Sequence, residues 1–352
     1  MPPLLRPFTL ARRSLPGMGL LIAICLTLGA CGSSTATTAP TPTPRPSPTP
    51  TTVPVQLQIT PYTYKGFSNP VTDALWSPNG KYLAVAGYDK IVQVLDVITG
   101  KLLFTYTGHT DQVNDIAWSP DSQMIASASS DNSVQIWNAL TGVKVATYTG
   151  PSNVMQLVAW SPDGKYLAVT GGDNNIEVWN PSDPGKNITI YKGHSDVVIG
   201  LAWSPNSQMI ASASADKTVQ VWQATTGKTL YTYRGHQNSV DVVTWSPDGT
   251  RIASGSDDTT VQIWDATTGA HVVTFKGHTA FISALAWSPD GKRIASGSYD
   301  DTAQVWDPTN PGGTVFTCKG HTDNVYSLSW SPDSRYLASG SADQTVQVWQ
   351  PS

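Results

Sequence analysis

The sequence predicts an all-β fold: a seven-bladed β-propeller of four-stranded antiparallel blades, closed by an N-terminal strand in the last blade. Three observations carry this. The tripeptide Trp-Ser-Pro recurs at Trp76, Trp118, Trp160, Trp203, Trp245, Trp287 and Trp330, so the chain repeats every 42 or 43 residues. Each copy reads as four short β-branched and aromatic runs separated by turn residues. The last copy is one run short, while an unmatched run precedes the first. A period of this length marks units that cannot bury their apolar faces alone and must stack on their neighbours. Arranged radially, such four-stranded meanders make a propeller.

Before the repeats, residues 1–30 have the layout of an export signal. Arg6, Arg12 and Arg13 form a basic start, and residues 17–28 are an apolar run too short to span a bilayer comfortably. The ending Leu28-Gly29-Ala30-Cys31 resembles the lipobox of bacterial lipoproteins. That resemblance implies cleavage before Cys31 and a diacylglycerol on its sulfur, hence a protein anchored to a bacterial membrane on the extracytoplasmic side. Ser14-Leu15-Pro16 fits a twin-arginine signal poorly, so Arg12-Arg13 reads as plain basic charge. Residues 31–54 are Thr, Pro, Ala and Ser around a single Arg45, a composition with almost nothing to bury. They are expected to be a disordered tether.

Residues 55–352 hold the repeats and are ample for one large domain. Without the four arginines of residues 1–54, 17 basic residues face 25 acidic ones, a net charge near −8. Nucleic acid, whose phosphates need a basic footprint, is thereby excluded as a partner. Cys318 is the one cysteine of this part of the chain, so no intramolecular disulfide forms in it. It stands where other repeats carry Tyr64, Tyr106, Tyr148, Tyr191, Tyr233 or Phe275, which points to packing rather than reactivity.

The fifth copy shows the elements in order. Residues 240–245 alternate as a strand, and Ser246-Pro247-Asp248-Gly249 is turn chemistry with glycine free to take positive φ. Residues 251–256 are a second strand, 257–259 a tight turn, 261–264 a third strand, and 272–276 a fourth after the turn 266–269. The chain stops two residues after Gln350, leaving the seventh blade without a fourth strand. Residues 56–64 precede Lys65-Gly66 as residues 101–106 precede Thr107-Gly108. Placing that leading strand in the last blade closes the ring and removes an exposed edge.

Gly-His opens five copies, at His109, His194, His236, His278 and His321. A Trp followed by Asp, Asn or Gln closes six, at Trp137, Trp179, Trp222, Trp264, Trp306 and Trp349. An Asp stands six residues before the closing position in all seven: Asp89, Asp131, Asp173, Asp216, Asp258, Asp300 and Asp343. These motifs resemble the WD40-repeat family over residues 56–350. The resemblance implies a buried hydrogen-bonded tetrad in each complete blade, uniting Ser127, Ser212, Ser254, Ser296 or Ser339 with the His, Asp and Trp of its repeat. In it the Asp is expected to accept from both His and Ser, with the indole N–H directed into the same network.

Ser, His and Asp are also the groups of a nucleophilic triad. An active site is needed once, whereas five copies at one period answer a problem every blade shares, so the expected role is structural. Repeat one has Phe67, Val85 and Leu95 in place of His, Ser and Trp, and repeat three has Pro151 and Val169 in place of His and Ser. Joint loss is what a buried network predicts, because a half-satisfied one is worse than an apolar replacement.

No metal-ligand cluster, nucleotide loop or unique carboxylate pair is read from the sequence, and no metal, cofactor or catalytic residue is expected. Asp257-Asp258 and Asp300-Asp301 lack the alternating oxygen ligands of a calcium loop. The expected function is a non-enzymatic protein–protein interaction scaffold; the alternative is an enzyme or a sensor of small molecules or glycans that uses the central channel. The family resemblance implies exposed top positions three and five residues after the histidine and one before the tetrad aspartate. Most are small or neutral, such as Gln112, Asn114 and Ser130. The exceptions are Asp241 and Asp257 in blade five, Phe281 and Tyr299 in blade six, Tyr326 in blade seven and Tyr88 in blade one. Aromatic side chains at such positions carry binding energy out of proportion to their number, and the aspartates favour a protein or peptide with basic groups.

Overall fold

A computed structural model describes residues 59–150 and 154–351, with the side chains of 184–187 excepted. The export signal, Cys31, the tether and Pro151 lie outside the described residues. Twenty-eight strands form seven four-stranded antiparallel sheets, six of them in simple sequence order. The fifth blade consists of Val240–Trp245, Arg251–Ser256, Val261–Asp265 and Val273–Phe275, the last one residue shorter at each end than its pattern suggests.

The seventh sheet is ordered Tyr62–Tyr64, Val346–Trp349, Leu337–Ser341, Val325–Trp330. The leading strand thus pairs with the last, Tyr62 opposite Val348 and Tyr64 opposite Val346. Its start is pinned from the same blade, where the Tyr336 hydroxyl accepts the Ile59 amide at 3.0 Å.

The first strand of every blade packs against the first strands of the neighbouring blades, so the seven line a central channel. Each of these innermost strands carries a bulge near its start, as between Val240 and Val242. The extra residue frees a side chain for the neighbouring blade. Thr72 donates to the Val113 carbonyl at 2.8 Å and Asn114 to the Met155 carbonyl at 2.8 Å. Core lies between blades rather than within them. Ala211, Val221 and Tyr233 of blade four pack with Val243, Trp245, Ile252 and Trp264 of blade five. The closing seam is built alike, with Tyr336, Val346 and Val348 of blade seven against Val71, Leu83 and Leu95 of blade one.

Aromatic rings staple blade to blade. An outer-strand ring stacks on the closing tryptophan of the next blade, Tyr106 on Trp137 and Tyr191 on Trp222 at 4.3 Å, Phe275 on Trp306 at 4.2 Å. Cys318 takes this place between blades six and seven. It is buried, and burial pushes its thiol up to about 12, so it packs and does not react.

Candidate functional site

The turns between second and third strands, and the loops that carry the histidines, lie on one face, here the top. The Trp-Ser-Pro turns lie on the other. At the top each complete blade builds a relay. In blade two His109 Nδ1 lies 2.8 Å from Asp131 Oδ2 and Nε2 2.7 Å from Ser127 Oγ, while Trp137 Nε1 donates to that Oγ at 3.1 Å. A carboxylate only accepts, so Nδ1 bears the proton; Nε2 then accepts from the serine, whose oxygen accepts from the indole. Blades four, six and seven repeat this through His194, Ser212, Asp216 and Trp222; His278, Ser296, Asp300 and Trp306; His321, Ser339, Asp343 and Trp349.

Three details depart from the sequence expectation. The serine does not donate to the aspartate. Histidine stands between them, and the aspartate instead accepts from the hydroxyl two residues on, Ser133, Thr218, Thr260, Thr302 or Thr345. In blade five His236, Ser254 and Asp258 are joined as elsewhere, but Trp264 Nε1 donates at 3.1 Å to the hydroxyl of Tyr231 in blade four. The corresponding ring beside Trp137 is Phe104, which has no oxygen to offer. In blade three, loss of the serine is not matched by loss of the tryptophan: Trp179 is fully buried and its indole nitrogen has no hydrogen-bond partner. Phe67, Val85 and Leu95 of blade one are buried apolar replacements, and Asp89 there accepts from Ser68 and Asn69.

Burial alone would raise the tetrad carboxyls. Hydrogen bonds from histidine and from the neighbouring hydroxyl outweigh it and hold Asp131, Asp216, Asp258, Asp300 and Asp343 below the ordinary carboxylate range, Asp216 at about 2. Burial lowers the imidazoles of His109 and His321, with the aspartate opposing it, so these rings are neutral at physiological pH. A base already engaged on both nitrogens inside the wall of a blade is not placed to act on a substrate.

The channel wall overturns the expectation that no unique carboxylate pair exists. At the third position of the innermost strands stand Asp73, Asp115, Leu157, Gly200, Val242, Ala284 and Ser327. Asp73 and Asp115 hydrogen-bond each other side chain to side chain. Asp73 also accepts from Ser327 Oγ of blade seven and from the Ala74 amide at 2.9 Å. Asp115 accepts from the amides of Ile116 at 3.0 Å and Val158 at 2.8 Å. Burial raises both carboxyls, and the charge of Asp73 pushes Asp115 well above the ordinary range, so the pair holds one proton between them. The cluster stitches blades seven, one, two and three. Elsewhere the same position is tight: a Cβ on Gly200 would meet Val242 Cα at 3.0 Å.

Of the top-face exceptions, the aromatic ones come together. The rings of Phe281 and Tyr299 are 5.9 Å apart, and those of Tyr299 and Tyr326 are 5.8 Å apart. Tyr88 lies within electrostatic reach of Tyr326: its phenol is held above its ordinary value first by burial and then by that residue. Phe281 is the exposed member, at 37 %; the other three are half-buried. Asp241 and Asp257 sit together in blade five on the Ser239 segment, Ser239 Oγ donating to Asp241 at 2.7 Å and its carbonyl accepting the Asp257 amide at 3.0 Å.

Two family models match the chain. One, the second β-propeller of echinoderm microtubule-associated protein, matches residues 198–352; the other, the first β-propeller of WDR19, matches residues 72–242. The domain is a seven-bladed β-propeller, and both matches support a WD40-like one. No curated protein matches the chain. Sequence reasoning missed one further feature of the propeller, an apolar outer edge on blades one and two: Ile98, Leu102, Leu103, Leu140, Val143 and Val145 are all exposed. Their signal was the aliphatic pair Leu102-Leu103, which breaks the alternation of an outer strand.

Proposed function

We propose that this propeller is a non-enzymatic interaction scaffold, held outside the cytoplasmic membrane of a bacterium by a lipid on Cys31, that captures a protein or peptide on its top face. The observation that carries the reading is the run of Phe281, Tyr299 and Tyr326, whose rings meet across blades six and seven, with Tyr88 of blade one within electrostatic reach of Tyr326. Rigid aromatic anchors on a preorganised ring lower the entropic cost of binding. One further feature favours it: the Ser, His and Asp groups are consumed within the blades, five times over.

The test is crosslinking in native membranes with the full-length protein. Phe281→Ala with Tyr299→Ala should abolish capture of the main crosslinked protein without changing the melting temperature, and Gln112→Ala with Ser130→Ala should do neither. A footprint confined to blades two to four would refute the reading. Cys31→Ala should shift the protein to the soluble fraction or leave an uncleaved precursor; unchanged fractionation of a processed product would remove the lipid anchor from it.

A further inference from the structure

We propose that the cleft between the Trp-Ser-Pro turns of blades five and six is a second binding site, which takes an uncharged, extended peptide segment of a partner by donating from the Arg251 guanidinium to one of its backbone carbonyls. The cleft lies on the face opposite the aromatic run and does not rest on that run being used.

The indole of a Trp-Ser-Pro motif is covered by a residue at or just before the start of the second strand of the preceding blade. Tyr82 stacks on Trp118 and Tyr166 on Trp203, with ring centroids 6.3 and 6.2 Å apart. Met124 and Met209 pack in the clusters that hold Trp160 and Trp245. In blades five and six the cover is arginine, Arg251 Cζ lying 4.8 Å from the centre of the Trp287 ring and Arg293 Cζ 4.6 Å from that of Trp330. Stacking holds the guanidinium by its face and leaves its N–H edge for acceptors.

The two arginines are answered differently. Arg293 donates to the carbonyls of Ser334 and, at 3.3 Å, Pro351 in blade seven, and the Trp330 indole donates to the Ala286 carbonyl at 3.1 Å. Gly291 and Pro308 of blade six stand where blade seven has Ser334 and Pro351, yet Arg251 bonds to neither. Among the described residues its guanidinium has no hydrogen-bond acceptor and no ion pair, although Asp248 and Asp307 feel its charge. The indole nitrogen of Trp287 beneath it is buried without a partner. Both donors are thus satisfied at the junction of blades six and seven, and neither at that of blades five and six.

Beside Arg251 the cleft measures about 350 Å³, walled by Pro247 and Pro289 and lined by Asp248 and Asp290, a volume within the range of ligand sites. Asp248 accepts from Ser246 Oγ and Asp290 from Ser288 Oγ, both at 2.6 Å, and the same Oδ1 atoms take the amides of Thr250 and Lys292. The Oδ2 atoms are left for a donor of the ligand. An anion would meet two carboxylates there and a cation would meet Arg251, whereas a peptide unit brings an acceptor and a donor with no net charge. Blade seven already sets two such carbonyls against Arg293. An extended segment keeps these backbone groups unpaired until it docks.

The experiment is selection from a random heptapeptide display library on full-length protein carrying Phe281→Ala with Tyr299→Ala, in detergent, so that peptides needing the top-face aromatics are not recovered. The retained peptides, remade synthetically, should be uncharged and should bind wild type equally well. Arg251→Met, which covers Trp287 as Met124 and Met209 cover their tryptophans but offers no donor, should weaken binding at least about tenfold with the melting temperature unchanged. Arg293→Met should leave binding unchanged and lower the melting temperature, because its bonds are internal. The site is overturned if nothing is retained, if the peptides are charged, or if binding ignores Arg251→Met. It is overturned equally if Arg251→Met lowers the melting temperature as Arg293→Met does, since Arg251 would then be an internal clasp. None of these results touches the top-face reading, and failure of that reading leaves the cleft standing.

Discussion

Each tetrad histidine is engaged on both nitrogens, so removing it strands a buried hydroxyl and a buried carboxylate together. His236→Ala should lower unfolding free energy by about 1–3 kcal/mol, read from the denaturant midpoint, with the top-face interaction retained in the folded fraction. Preserved stability with a lost activity would reverse the structural assignment. Blade three offers the converse. Val169 stands where other blades place the serine, and the Trp179 indole nitrogen lacks an acceptor. Val169→Thr keeps the side-chain volume and adds an oxygen for the indole, and, with no histidine in this repeat to take it, its own proton can turn to the carbonyl of Glu177, the residue paired with Val169. A gain of about 0.5–1 kcal/mol is expected, and a loss would show that the hydroxyl does not reach. The tetrads were legible because each is written within one repeat. The detour of Trp264 was not, because its acceptor Tyr231 belongs to the preceding blade.

Among elements, the innermost strands do more than line a channel. Asp73 and Asp115 share a proton across two blades, and their folded pKa values lie above the unfolded ones. Stability from a raised carboxyl is fully present below the ordinary carboxylate range and is lost as pH rises through the folded value. The tetrad aspartates have the opposite sign, their contribution present above that range and lost as pH falls. Asp73→Asn separates the two. Its amide oxygen can still accept from Ala74 and Ser327, and its amide nitrogen can donate to an ionised Asp115 that keeps the Ile116 and Val158 amides. The variant should therefore be more stable than wild type at pH 8, by roughly 1–2 kcal/mol, with the difference closing near pH 4. A difference independent of pH in thermal melts would contradict the shared proton. In sequence the two aspartates are polar residues 42 positions apart in unremarked alternation. Only lateral packing of blades makes them neighbours.

For the whole molecule, closure is the point of cooperativity. Tyr62–Tyr64 completes the last blade, and Ile59, Tyr62 and Tyr64 pack into the seam with blade one. Deleting residues 55–64 should lower the melting temperature by roughly 10 °C or more, through lost apolar burial and an opened edge. Deleting residues 32–53 should leave it unchanged. Equal melting of the two deletions would dismiss the clasp.

The sequence by itself determined blade number, strand order, the strand that closes the ring and the His, Ser and Asp members of each complete tetrad, but not the partner of Trp264. A period of 42 or 43 residues, strand alternation and turn chemistry are local, and they repeat until they are unambiguous. It also marked the positions of the aromatic exceptions, though not that three of their rings stand 5.8–5.9 Å apart in succession. Tertiary structure alone decided whatever lies between blades: the proton shared by Asp73 and Asp115 and the capture of Trp264 by Tyr231. The physical reason is that propeller blades bury their faces only against one another. Contacts across those faces join residues one repeat apart, or 254 apart for Ser327 and Asp73, by geometry that no local pattern records.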